Sequence, residues 1–164
     1  MPSEPAIVHR AEQHYIGITR TVTMQTFDAV ADRIPHLFAW LDAHGLTADG
    51  PPFFKLNVID MERELQVEAG VPIAAATMPD GEVHYGVLPA GRYLALTSVG
   101  SPDEHIAAIA GLFDWAAAQG LAFDSSDTDA GSKWACRLQV LTTDPSQEPD
   151  PTKQEIENLF LLAD

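Results

Sequence analysis

An internal duplication constrains the fold more than any other feature of the sequence. Residues 37–40 read Leu-Phe-Ala-Trp and precede Gly45, and residues 112–115 read Leu-Phe-Asp-Trp and precede Gly120, so the offset is 75 throughout. Residues 15–19, Tyr-Ile-Gly-Ile-Thr, are likewise similar to residues 93–97, Tyr-Leu-Ala-Leu-Thr. One supersecondary unit repeated twice explains this pattern, and two copies are too few for a solenoid. We therefore expect one domain over 1–164, with copies at about residues 6–78 and about 82–164.

Each copy is predicted to contain a strand, a helix and two further strands. The runs at 15–22 and 92–99 are rich in β-branched and aromatic residues, which favours strands. The remaining strand candidates are at 53–61, 64–68, 133–142 and 155–162. The predicted class is α+β: duplicated β-α-β-β units form a pseudo-two-fold domain, with a concave antiparallel sheet and the helices on the opposite face.

Local signals mark the ends of the predicted helices. Ser101 can cap the second helix, and Glu104 can close a capping box with it. Gly45 and Gly120 can each end a helix in the left-handed conformation. Pro35 interrupts the first helical pattern, so that helix is either kinked or begins near Ile34.

Charge and composition argue against several classes of function. The formal net charge is −15 with nine Lys and Arg residues, which disfavours direct binding to nucleic acid because phosphates need basic partners. No apolar run approaches the roughly 20 residues of a membrane helix, so no membrane association is predicted. Cys136 is the only cysteine, which favours a reduced, cytoplasmic location without disulfides.

Common catalytic and cofactor motifs are absent from the sequence. There is no glycine-rich phosphate loop and no Gly-x-Ser-x-Gly nucleophile motif. The six histidines lack the spacing of known zinc motifs. We therefore predict neither a cofactor nor a metal site.

A carboxylate and a set of aromatic residues remain as the candidate site. Strand alternation puts Glu157 on one face with Leu159 and Leu161, and Glu155 on the same face nearer the start of the strand. A carboxylate among such neighbours is paired, solvated by a cleft, or available to a ligand. From the bare strand alone, a solvated edge carboxylate is the favoured interpretation. The aromatic candidates for the groove are Trp134, Tyr85, Tyr93, Phe54 and Trp40, although each taken singly is typical of a core residue.

Several segments resemble the GyrI-like effector-binding domains. Residues 87–93, Val-Leu-Pro-Ala-Gly-Arg-Tyr, are similar to the Val-Pro-Ala-Gly-Arg-Tyr signature of that family. The ending at 157–164, Glu-Asn-Leu-Phe-Leu-Leu-Ala-Asp, is similar to the family's closing segment. Further matches are at 51–54, 67–73, 112–115, 143–145 and 149–151.

The resemblance implies a duplicated β-α-β-β fold that binds a small organic molecule at the interface between the copies. It also implies that Glu157 faces the ligand among aromatic side chains. The chain is similar to a stand-alone member, because it leaves no room for the DNA-binding domain of many relatives. Four positions depart from the family pattern: Gln154 replaces a usual Trp, Leu56 and Leu141 replace frequent Tyr, and Gln139 replaces a common Glu.

Three functions follow as hypotheses. The first is binding of a flat organic cation or neutral aromatic molecule, with Glu157 at the base of the site. The second is hydrolysis of electrophilic, cyclopropane-type toxins with Glu157 as general acid or base. The third is an acidic interaction module that binds a basic protein such as a topoisomerase, for which the charge of −15 is the supporting feature.

Overall fold

Ten antiparallel strands and three helices make up the described part of the chain. The computed structural model describes residues 4–23, 25–60, 62–129, 131–143, 150 and 153–163. The strands are β1 (Ala6–Arg10), β2 (Gln13–Val22), β3 (Phe53–Ile59), β4 (Leu65–Pro72), β5 (His84–Leu88), β6 (Gly91–Gly100), β7 (Ser125–Thr128), β8 (Gly131–Trp134), β9 (Arg137–Leu141) and β10 (Gln154–Leu161). The helices are α1 (Asp28–Ala31), α2 (Arg33–Ala43) and α3 (Pro102–Ala118). The α+β class and the antiparallel sheet are therefore confirmed.

The sheet is strongly curled. Its strand order is β1-β6-β10-β9-β3-β4-β2-β5, with the β7–β8 hairpin attached to β3. In a flat sheet, six spacings of about 4.8 Å would separate β1 from β2 by about 29 Å. The short link from Arg10 to Gln13 spans at most about 11 Å. The link from Leu88 to Gly91 imposes the same restraint on β5 and β6. The two ends of the sheet must therefore approach each other.

The two faces of the curled sheet bury different residues. On the helix face, α1 and α2 cover β2, β3 and β4, and α3 covers β6 and β10; residues such as Ile16, Val67 and Phe160 point to this side. The opposite face, here called the inner face, buries Tyr15, Phe53, Tyr93, Leu138, Leu159 and others without any helix. Because no helix covers them, these side chains are shielded by the curl of the sheet itself.

Most predicted elements are found with shifted ends, but some predictions are wrong. The run at 133–142 is divided into β8 and β9, because Ala135 donates its backbone N–H to Asp124 and the carbonyl of Cys136 accepts from Leu161. The chain thus changes neighbours at this point. Strand β4 extends beyond Glu68 to Pro72, since its last residues pair with β2. Strands β1, β5 and β7 were not predicted, because all three are short; β1 and β7 are also mostly exposed, and β5 is mostly half-buried. Met61, the last residue of the predicted strand at 53–61, lies outside the described residues, as do most of the residues between β9 and β10.

The helix signals are confirmed. Ser101 Oγ accepts from the backbone N–H of Glu104 at 3.3 Å, and Glu104 Oε1 accepts from the backbone N–H of Ser101 at 3.4 Å. Gly45 and Gly120 have φ angles of 68° and 69°, in the left-handed region. Helix α2 begins at Arg33, which agrees with the second alternative for Pro35, and α1 precedes it. None of the helices in the described residues has the length and apolarity needed to cross a membrane.

A buried polar chain lies between α3 and the sheet. The side chains of His105 and Ser98 are hydrogen-bonded at 2.6 Å between Nδ1 and Oγ, and Asn158 Nδ2 donates to the carbonyl of Leu96 at 3.1 Å. Burial lowers the pKa of His105, because the charged imidazolium would lose its hydration there. By contrast, hydrogen bonds to the carbonyl of Trp40 and to Asp80 raise the pKa of the exposed His44.

We expect these two histidines to affect stability with opposite pH dependence. As pH falls below about 6.5, the unfolded chain takes up a proton at His105 that the folded chain binds less readily, so stability is lost. For His44 the stabilising effect is present at low pH and is lost as pH rises through its raised pKa. Chemical denaturation at several pH values between about 5 and 8 measures the free energy of unfolding of wild type, His105→Gln and His44→Gln. For each variant, the quantity to compare is how the difference in unfolding free energy from wild type changes with pH. A change in the same direction for both variants would contradict the assignment.

Candidate ligand-binding site

A cavity of about 270 Å³ opens on the inner face, where the ends of the curled sheet approach each other. It is called the inner cavity below. Its walls combine apolar side chains with charged and polar groups. The lining residues are Arg10, Gln13, Asp49, Gly50, Pro51, Phe53, Pro72, Leu88, Leu138, Val140, Thr142 and Glu157.

Glu157 reaches the inner cavity because of its position on β10. It pairs with Thr97 on β6 and with Val140 on β9, and alternation puts it on the same face as Leu159. Its side chain is 35% exposed, and its Oε1 lies 3.9 Å from Nη1 of Arg10 on the edge strand β1. An ion pair this open contributes about 0–1 kcal/mol. Glu157 therefore has a weak counter-ion and is accessible.

Glu155 differs from Glu157 in its surroundings although it shares the same strand face. Its Oε1 accepts a hydrogen bond from Thr142 Oγ1 at 3.0 Å, and its backbone N–H donates to Thr143 at 2.9 Å. It does not line the inner cavity. The two glutamates thus make a matched pair for substitution experiments.

A second carboxylate, which was not predicted, lies on the inner face: Glu68 on β4. It is 6% exposed and has four polar neighbours. Tyr15 Oη donates to its Oε1 at 2.6 Å, and Asn57 Nδ2 donates to its Oε2 at 2.6 Å. Lys55 Nζ and His84 Nε2 lie 3.5 and 3.3 Å away. This buried carboxylate is thus well compensated, as burial of a charge requires.

Glu68 and its four polar neighbours, here called the Glu68 cluster, support one wall of the inner cavity. Burial raises the pKa of the Tyr15 hydroxyl, and the Glu68 carboxylate raises it further, so Tyr15 remains a hydrogen-bond donor. The ring of Tyr15 packs edge-on against Phe53, with centroids 5.5 Å apart, and Phe53 lines the cavity. Glu68 faces Thr19 in the β2–β4 register as Glu157 faces Thr97 in the β6–β10 register. The similarity of residues 15–19 and 93–97 is the signal that could have indicated Glu68.

Of the six predicted site residues, only Tyr93 and Glu157 lie on the inner face. Tyr93 is buried against the inner-face core, and its hydroxyl donates to the carbonyl of Pro89 at 2.7 Å. It does not line the inner cavity. Contact of either residue with a ligand stays a prediction.

The other four aromatic residues pack on the helix face. Trp134 joins a cluster with Phe113, Phe123 and Phe160. Phe54 contacts the ring of Phe27, and Tyr85 stacks on His14 with centroids 5.8 Å apart. Trp40 donates its indole N–H to Asp80 at 2.7 Å and stacks on His44. The structure thus separates these four residues from Glu157, and their contact with a ligand stays a prediction.

Metal coordination finds no support in the side chains that are described. Within residues 4–23, 25–60, 62–129, 131–143, 150 and 153–163, no three His, Cys, Asp or Glu residues come together in a suitable group. The polar groups at the inner cavity are the carboxylates of Asp49 and Glu157, the guanidinium of Arg10, the amide of Gln13 and the hydroxyl of Thr142.

Solved structures share this fold at low sequence identity. The C-terminal domain of EcmrR has a TM-score of 0.75 and 14% identity, over 98% of this chain and 97% of that domain. In a complex of EcmrR with DNA, the TM-score is 0.76 at 16% identity over 97% of this chain, which spans 57% of the EcmrR chain. A hydrolase from Listeria innocua has a TM-score of 0.67 and 13% identity, over 98% of this chain and 92% of that chain.

A fourth structure was solved with a bound organic cation. SAV2435 bound to tetraphenylphosphonium has a TM-score of 0.58 and 10% identity, over 98% of this chain and 94% of that chain. At such identities these structures show the shared fold alone. No curated protein sequence matches the chain.

The family assignment comes from the sequence itself. Residues 3–130 match the family model described as the GyrI-like small molecule binding domain. The match includes β1 to β6, α3 and the Glu68 cluster. The chain therefore belongs to the GyrI-like family of small molecule binding domains.

Proposed function

We propose that this chain binds a compact organic ligand in the inner cavity, with the Glu157 carboxylate facing the ligand. The observation that carries the proposal is the position of Glu157. It is accessible in the wall of a cavity that combines apolar side chains with a few polar groups, and its Arg10 counter-ion is weakly held. Cavities that combine apolar walls with a few convergent polar groups are typical of small-molecule sites.

We also propose that the cavity lies between two copies of one unit within a single domain over 1–164. The strand order supports this, because it is symmetric. If the order is reversed and β1 is exchanged with β5, β2 with β6, β3 with β9 and β4 with β10, the same order results. In this arrangement each copy contributes its first strand to the other, and Glu68 and Glu157 occupy equivalent positions. A duplicated unit then explains why the site lies where the two halves meet.

Size and charge narrow the class of ligand. A volume of about 270 Å³ is slightly below the roughly 300–1,000 Å³ of common ligand sites, which favours a compact molecule. Glu157 and Asp49 supply two carboxylates against one guanidinium from Arg10, which favours a cation. The tetraphenylphosphonium bound to SAV2435 supports organic cations as a ligand class for this fold. Arg10 opposes such a ligand and therefore restricts which cations enter.

We expect Glu157→Gln to weaken binding of phenyltrimethylammonium by more than about 1 kcal/mol, or about fivefold in Kd. The reason is the loss of a charge-assisted contact in a cavity that is partly shielded from water. The fold should remain intact, since Glu157 has only one weak ionic partner. Isothermal titration calorimetry of the wild type and the variant measures the change.

Matched controls separate a specific role of Glu157 from a general effect of charge. Glu155→Gln removes the same charge two residues away and should change Kd by less than about twofold, or about 0.5 kcal/mol. Arg10→Gln should strengthen binding of the cation. Binding of tert-butylbenzene, the neutral analogue of the same shape, should be insensitive to Glu157→Gln. Equal effects of the two glutamate substitutions would refute the assignment of Glu157.

The remaining hypotheses stay predictions. These are hydrolysis with Glu157 as acid or base, interaction with a basic protein, the absence of direct nucleic-acid binding, and a cytoplasmic location.

A further inference from the structure

A second and larger cavity lies on the helix face, outside the inner cavity. Its volume is about 1080 Å³. One wall is α2, which contributes Ile34, Phe38 and Asp42, and the opposite wall is formed by Phe54 of β3 and Leu141 of β9. It is called the helix-face cavity below. It meets the inner cavity at Gly50, Pro51 and Thr142, which line both.

The apolar stripe of helix α2 is wide, and one edge of it is not buried in the core. Leu37, Trp40 and Leu41 pack against the sheet. Ile34 and Phe38 lie at this edge and line the helix-face cavity; Ile34 also packs against the core, whereas Phe38 remains 37% exposed. An ordinary surface helix carries polar residues outside its buried stripe. The exposed apolar edge therefore favours an occupant that is itself lipophilic.

Asp42 gives this cavity a charge. The spacing of residues 34, 38 and 42 places Asp42 on the same stripe of α2 as the two apolar side chains. Among the described lining residues, Asp42 is the only charged one. Its carboxylate forms no ion pair within the described part of the chain. The inner cavity differs, since Arg10 stands beside Glu157 there.

We propose that the helix-face cavity is a second ligand site, which takes bulky lipophilic cations such as aryl phosphonium or ammonium ions. The rings of Phe38 and Phe54 line this cavity and can attract a desolvated cation, and Asp42 supplies the countercharge. The cavity is about four times as large as the inner cavity, 1080 against 270 Å³, so it suits ligands too bulky for the latter. The proposal does not depend on Glu157.

Tetraphenylphosphonium is the probe that tests this proposal, with Kd measured by isothermal titration calorimetry on the full chain. Asp42→Asn and Phe38→Ala should each raise Kd about three- to tenfold, as for the loss of a partly exposed charge or ring contact. Asp114→Asn is the matched control, because Asp114 is an exposed aspartate on α3 outside the cavity. It should change Kd by less than about twofold, as should Glu157→Gln.

Two results would overturn the proposal. The first is the absence of tetraphenylphosphonium binding to the folded wild type up to about 1 mM, the weak end of specific affinity. The second is binding that Glu157→Gln abolishes while Asp42→Asn and Phe38→Ala leave it unchanged, which would place the probe in the inner cavity. Circular dichroism of each variant excludes unfolding as the cause of lost binding. Failure of the proposed Glu157 site would be detected separately, because Glu157→Gln would then leave the Kd of phenyltrimethylammonium unchanged.

Discussion

Replacing Glu68 with alanine should lower the free energy of unfolding by about 3–5 kcal/mol, as for breaking other buried charge pairs. The substitution leaves Lys55 nearly buried without its carboxylate, and it removes the acceptor of both Tyr15 and Asn57. Each unpaired donor then adds a desolvation cost. For a chain of this size the expected decrease in Tm is about 6–20 °C, which thermal denaturation followed by circular dichroism measures.

Glu64→Ala is the matched control for this prediction. Glu64 is an exposed glutamate that directly precedes β4, so its loss should change stability by less than about 0.5 kcal/mol. The double variant Tyr15→Phe with Glu68→Ala should be clearly non-additive, because the two side chains share one hydrogen bond. Equal costs for Glu64→Ala and Glu68→Ala would show that the buried cluster does not stabilise the fold.

Phe160→Ala should cost a similar amount, about 3–5 kcal/mol, because it leaves a cavity in a closely packed aromatic cluster. Phe160 is fully buried, and its ring centroid lies 5.6 Å from those of Phe113 and Trp134. The guanidinium carbon of Arg137 lies 4.7 Å from the same ring centroid. Burial lowers the pKa of Arg137 to about 10, so the aromatic rings are important partners of this cation. Chemical denaturation at neutral pH measures the loss.

Phe38→Ala removes the same ring at an exposed position and provides the comparison. Since Phe38 lines the helix-face cavity and is not enclosed by the core, its loss should cost less than about 1 kcal/mol. A cost for Phe160→Ala no larger than that for Phe38→Ala would contradict the role of the aromatic cluster in holding α3 to the sheet.

Local signals in the sequence predicted the elements better than they predicted the faces. The capping box at Ser101 and the strand pattern around Glu157 depend on near neighbours, and the structure contains both. The division of the run at 133–142 depends on backbone bonds to Asp124 and Leu161, which are distant in sequence. A continuous apolar run contains no sign of such a change of neighbours.

The arrangement of the site shows why the remaining residues were not predicted. Phe53 and Phe54 are adjacent, yet Phe53 lines the inner cavity while Phe54 packs on the helix face. Strand alternation makes the face depend on register, and a shift of one residue reverses it. Because both positions hold the same residue type, the sequence gives no reason to place one phenylalanine in the cavity and not the other. Arg10 and Glu68 were missed for a related reason, since only the curl of the sheet and the β2–β4 register bring them to the inner face.

The central claim is that the inner cavity holds a compact organic ligand beside Glu157, and contacts between ligand and protein protons test it most directly. With methyl-labelled protein and bound phenyltrimethylammonium, intermolecular nuclear Overhauser effects should appear at Leu88, Leu138 and Val140, which line the inner cavity. They should weaken in Glu157→Gln and persist in Glu155→Gln. Contacts confined to Ile34 and Leu141 of the helix-face cavity, or to exposed methyls such as that of Met78, would contradict the claim.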